Sequence, residues 1–138
     1  VRIRLSRDRP GLVQRPGTSI GLYGSAVGLC TLAFADQATA QSLRESQPFH
    51  EHAANLWASP EALHEHLVAA RKAGVVTTPF SGQELWRVAA PVRTADGIFA
   101  AAFGVALPIA SADMTTQEAA TAAVLAAAAA TANPQESA

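Results

Sequence analysis

The side chains able to do chemistry fall in a few places along the chain. His50-Glu51-His52 and His64-Glu65-His66 each set two imidazoles around a carboxylate, residue types that hold transition metals. Their spacing argues against that use. On a helix, residues two apart point about 200° away from one another, so His64 and His66 are badly placed to share an ion, and no metal site is expected. Cys30 is the single cysteine, so no internal disulfide can form, and its apolar setting suits a thiol acting as a small hydrophobe. Gly21, Gly24 and Gly28 interrupt a helical pattern and fit a helix whose start lies close to other backbone or to a ligand. H-E-x-x-H, a Walker loop and a dinucleotide fingerprint are all missing, so neither catalysis nor a cofactor is expected.

Charge narrows the choice further. The chain carries 10 basic and 11 acidic residues, a net charge of -1, which lacks the clustered basic excess that holds polyanions. Arg2, Arg4, Arg7, Arg9 and Arg15 do crowd the first fifteen positions; they read as the solvated face of an edge strand followed by a polar loop. Nucleic-acid binding by this chain alone is therefore not expected. With 138 residues, 49% apolar, one hydrophobic core and a single domain over 1–138 are expected. The alanine tract at 122–130 is too short and too weakly apolar to cross a bilayer, and no signal-peptide pattern opens the sequence, so the expected location is the cytoplasm. The chain starts on Val1 in a strand-like pattern, as a piece of a longer protein would.

These side chains must be positioned by a mixture of strands and helices. Residues 1–6 alternate as a half-exposed strand, and two Pro-Gly pairs turn the chain behind it. Helical spacing runs from Ser19 to about Arg44, with a break near Asp36. Residues 45–58 read as an irregular polar loop. Ser59-Pro60-Glu61 opens a helix that Gly74 closes, with Leu63, Leu67 and Ala70 as its buried stripe. A short strand at 75–78 precedes two long ones, Glu84 to Arg93 and Ile98 to Leu107, joined through Asp96-Gly97 as a hairpin. Thr115 with Glu118 forms a capping-box pattern for a last helix running to about Ala132, before Asn133-Pro134. The order predicts an α/β layer structure with a mostly antiparallel sheet. Leu22, Leu32, Phe34, Leu63, Leu67, Val88, Val92, Phe99 and Val105 are the expected large core residues.

Particular strings carry a resemblance. GTSIGLYGSAVGLCTLAFAD at 17–36, LHEHLVAARKAGVV at 63–76, RVAAPVRTADGIFAAAFGVALP at 87–108 and the alanine-rich closing helix resemble the C-terminal effector-binding domain of the IclR family of bacterial transcription regulators. That resemblance implies a GAF-like or profilin-like α/β fold, with a curved antiparallel sheet enclosing a small-molecule pocket. It implies a homo-oligomer, dimer or tetramer, and DNA contact only through an N-terminal winged helix-turn-helix domain that is not in this sequence, so an excised piece or a truncated gene product is expected.

The resemblance also implies a pocket. Backbone amides at the start of the first helix fall at Ala26, Val27 and Gly28, where a helix N-terminus can hold an anion; equally, the glycines there could serve only close packing. An acidic position becomes Thr77, a thiol position becomes Arg87, and two hydroxyl positions become Gly104 and Ala106. Leu85 is taken with this effector-binding set, and Trp86 as packing. Two readings of Arg87 stand: a guanidinium gripping a carboxylate ligand, or one that faces solvent or pairs with Glu84. The implied function is sensing of a small carboxylate or aromatic acid. The alternatives are an oligomerisation module with a vestigial pocket and a free-standing GAF-like small-molecule-binding protein.

Overall fold

Two long strands joined by a tight turn dominate the architecture. β2 (Leu85–Arg93) and β3 (Phe99–Pro108) pair antiparallel, from Leu85 opposite Pro108 to Val92 opposite Ala101, with a register shift between Val92 and Arg93. Gly97 closes the turn at φ 80°, a conformation that favours glycine, and Thr94 accepts and donates across it: its N–H goes to the Ile98 carbonyl and its hydroxyl accepts from the Ile98 N–H. A two-residue strand, β1 (Val76–Thr77), adds to the other edge of β2, giving the order β1-β2-β3. This computed structural model describes residues 21–80 and 84–132; the strand and turns expected before Ser19 lie outside them, as do Asn133 and Pro134.

Helices cover both faces of the sheet. α1 (Ala26–Phe34) and α4 (Pro60–Ala73) pack on one side, where Leu29, Cys30, Leu32, Leu63, Leu67, Val76 and Ala89 form one buried cluster. α5 (Met114–Ala132) packs on the other, joining Val124 and Ala128 to Val88, Ala90 and Val92. Layers of this kind arise because each face of a sheet must be covered to bury its apolar side chains. Phe34, Phe99 and Val105 from the expected core are only partly buried and pack against these clusters.

Local signals place the helix ends. Ser59 accepts from the Ala62 N–H at 3.1 Å and Gly74 ends α4 in the left-handed conformation, as expected from the sequence. The helical stretch from Ser19 divides differently. Ser25 caps α1, and Asp36 caps α2 (Gln37–Ser46) through the Thr39 N–H at 2.6 Å, so the expected break near Asp36 is a true start. For α5 the cap is Asp113, whose carboxylate accepts from the Thr116 N–H at 2.7 Å, and Thr115 of the expected capping box lies inside the helix. An ionised carboxylate two residues earlier outcompetes the hydroxyl for the free amides at the helix start.

The segment at 45–58 is more than a polar loop. It contains α3 (Phe49–His52), a fully buried Ala53 and Trp57, which is 7% exposed. Trp57 donates its Nε1–H to the Tyr23 carbonyl at 3.0 Å, and the Tyr23 hydroxyl donates to the Gln47 carbonyl at 2.6 Å. Tyr23 meets Phe49, and Trp57 meets Phe80, edge to face.

Candidate functional site

Strand alternation decides which of the expected site residues meet. Leu85, Arg87, Ala89 and Pro91 share one face of β2, and their ladder partners Pro108, Ala106, Gly104 and Ala102 share it from β3. This is the face toward α1: a Cβ added to Gly104 would lie 3.2 Å from Val27 Cγ1 and 3.3 Å from Ala89 Cβ. The structure thus brings Val27, Leu85, Arg87, Gly104 and Ala106 onto one surface. Leu85 and Arg87 are half-buried, while Gly104 and Ala106 are exposed.

Thr77 lies elsewhere. It pairs with Val88, so its side chain belongs to the α5 face, and its carbonyl is held by His66 Nε2 at 2.8 Å. Thr78 follows with its N–H on the Arg87 carbonyl at 3.2 Å, and the register puts this buried threonine on Arg87's side of the sheet. A one-residue offset in a strand reverses the face, which is why reading the sequence string picked the neighbour.

The helix start also divides. Gly28 gives its N–H to Ser25 Oγ at 3.0 Å, which removes it from any anion-binding set. A side chain there would run into the backbone carbonyls of Leu22 and Gly21, so glycine at this position is required by close packing. The amides of Ala26 and Val27 make no hydrogen bond to another described residue, as expected for the first residues of a helix. Around the candidate site stand Arg87, Thr78, an apolar floor of small residues and, on α1, the amides of Ala26 and Val27.

Other reactive groups are placed away from it. Cys30 is fully buried, and loss of water pushes its thiol up to about 12, with Arg93 opposing this. His50 and His52 are exposed and each lies near Glu51, at 3.5 and 3.8 Å. His66 packs against Trp57 at 5.2 Å. Among the described residues no three histidine, cysteine or acidic side chains gather as a metal site, and no helix is long and apolar enough to cross a membrane.

The family profile described as bacterial transcriptional regulator IclR C-terminal matches residues 2–133. The chain belongs to this family. The IclR C-terminal fold is equally clear in solved structures. The Thermotoga maritima IclR structure superposes with a TM-score of 0.71 at 19% identity, over 88% of this chain and 50% of that one. The Agobacterium tumefaciens repressor BlcR gives 0.70 at 17% identity, over 87% and 49%. An IclR homolog from Microbacterium hydrocarbonoxydans, solved with 4-hydroxybenzoate, gives 0.64 at 25% identity, over 86% and 49%. This chain therefore spans about half the length of these structures. No curated protein sequence matches it.

Proposed function

We propose that this IclR C-terminal domain is the effector-sensing half of a bacterial transcription regulator, and that the surface between the start of α1 and the β2–β3 hairpin takes a small carboxylate or aromatic acid. The observation that carries the reading is the placement of Arg87 on the α1 face, opposite Ala106 and on the same side of the sheet as Gly104, which Val27 approaches. A guanidinium offers a bidentate match to a carboxylate, and the helix start favours the same charge. Val27 closes the space at Gly104, and the room for an apolar ring lies at the exposed Ala106, opposite Arg87. The Microbacterium hydrocarbonoxydans homolog complexed with 4-hydroxybenzoate supports an aromatic acid as the ligand class.

In this reading the chain is one domain and works in the cytoplasm as a homodimer or tetramer. DNA contact belongs to another segment of the full regulator. Effector occupancy controls DNA binding only if affinity differs between two assembly states.

The test is calorimetric titration of 4-hydroxybenzoate and a panel of small organic acids into the chain, repeated with Arg87→Ala. An acid that binds the parent should lose roughly tenfold or more in affinity, the loss expected for one charge-assisted contact. If no acid binds, the second reading gains. That reading, an oligomerisation module with a vestigial pocket, is favoured by the contact of Val27 with the Gly104 position and by the capping of the Gly28 amide.

A further inference from the structure

A second concave site lies at the far end of β2 from the helix start. Because β1 is only two residues long and pairs no further than Ala89, the β2 edge beyond that residue has no strand beside it among the described residues. The Thr78 bond to the Arg87 carbonyl shows that residue 87 turns its backbone outward on this edge, and alternation gives Pro91 the same direction. Proline has no N–H to pair there, which suits a position without a ladder partner on that side among the described residues. The C-terminal ends of α1 and α4 and the last two turns of α5 surround an open cleft of about 430 Å³ here, lined among others by Phe34, Arg71, Pro91, Arg93, Leu125 and Ala128. That volume lies in the range of small-molecule sites.

Both arginines are exposed, and each is tethered by one hydrogen bond. Arg71 donates its Nε–H to the Ala33 carbonyl at 2.8 Å, at the negative end of α1. Arg93 donates from Nη1 to the Gly97 carbonyl at 3.1 Å and lies over the Phe34 ring at 5.5 Å. Neither makes an ion pair with a described acidic residue. Each guanidinium has five N–H groups and uses one in these bonds, which leaves most of both forks available. Like charges lining one cleft repel, and an anion between them removes that repulsion. Anchored guanidiniums also lose little freedom when they bind.

We propose that this cleft binds a phosphorylated small molecule, with the phosphoryl group between Arg71 and Arg93 and an apolar body against Phe34, Pro91 and Leu125. A single carboxylate satisfies one guanidinium fork. A phosphomonoester, with three terminal oxygens and close to two negative charges, satisfies two. This site is independent of the α1–hairpin surface, sharing none of its residues.

Phenyl phosphate is the probe. Titrated into the isotopically labelled chain, it should shift the amides of Phe34, Gly74, Arg93 and Ala128 and leave Ala26, Val27 and Arg87 unmoved. By calorimetry, Arg71→Gln and Arg93→Gln should each weaken binding roughly tenfold, and Lys72→Gln, which removes a neighbouring surface charge outside the cleft, should change it less than twofold. Should a glutamine variant fail to fold, Arg71→Lys and Arg93→Lys keep the charge but lose the fork, and a weakening of severalfold is expected. No binding, shifts confined to the helix start, equal binding of benzoate at the cleft, or an equal loss with Lys72→Gln would each overturn the proposal.

Discussion

The two faces of β2 share one backbone and differ completely in what they do. Trp86, Val88, Ala90 and Val92 turn toward α5, where Val88, Ala90 and Val124 are fully buried. Leu85, Arg87, Ala89 and Pro91 turn toward α1, and only Ala89 is fully buried. One face is a core whose energy comes from apolar area removed from water. The other is core at Ala89, which joins the cluster of Leu29, Cys30 and Val76, and carries a half-buried cation two residues away at Arg87. A strand can do both because neighbouring side chains point to opposite faces, so function and stability are separated by a single residue step.

The comparison can be broken most forcefully at Gly28. Gly28→Ala drives a methyl into backbone carbonyls that cannot swing aside, and a loss of about 3 kcal/mol in chemical denaturation is expected, at the upper end for overpacking. Little loss would show that the turn before α1 gives way, and the α1 face would then be less defined than described. Next in size, Val124→Ala on the α5 face should cost about 2 kcal/mol from lost burial and the cavity left behind, with acid binding at the other face unaltered. A change in ligand affinity from this substitution would show that the faces are coupled.

A gentler change sharpens the contrast. Ala106 is exposed and stands opposite Arg87, so Ala106→Ser should leave stability within about 0.5 kcal/mol while strengthening binding of a small carboxylate severalfold, read by calorimetry. No gain would move the ligand away from β3.

The smallest effects concern pH. Hydrogen bonds from Thr39 and Thr116 hold the Asp36 and Asp113 carboxyls below their ordinary value of 3.8. A depressed folded value means stability that is present above 3.8 and lost as pH falls through the folded values, so the Tm should decline on acidification below about pH 4. Asp113→Asn should flatten part of that decline. Cys30 works in the opposite direction: its raised value means stability that is complete below the ordinary 9.0 and lost as pH climbs toward about 12. Folded protein should therefore resist iodoacetamide at pH 8, with labelling appearing only on unfolding.

Local chemistry was legible from the start. The hairpin around Asp96-Gly97, the α4 caps at Ser59 and Gly74 and the break at Asp36 each depend on residues within a few positions of one another. Such signals act through neighbouring backbone groups, so the sequence alone determines them. The family strings were legible for the same reason, since they record the order of those elements.

Long-range packing was not. The burial of Trp57 depends on the Tyr23 carbonyl, 34 residues away, and no local pattern in the polar segment around it announces that partner. The face of Thr77 depends on its register against Val88, and a shift of one residue exchanges it with Thr78. Gly28 looked equally like an anion-binding amide and a packing position until Ser25 and the Leu22 carbonyl were seen around it. The cleft at Arg71 and Arg93 joins residues from helices and strands that no string connects. Sequence by itself determined the hairpin, the α4 caps, the helix start at Asp36 and the family, because each rests on short-range bonding. Only the tertiary structure decided which side chains share a face and which charges share a cleft, because those depend on register and packing between segments far apart in the chain.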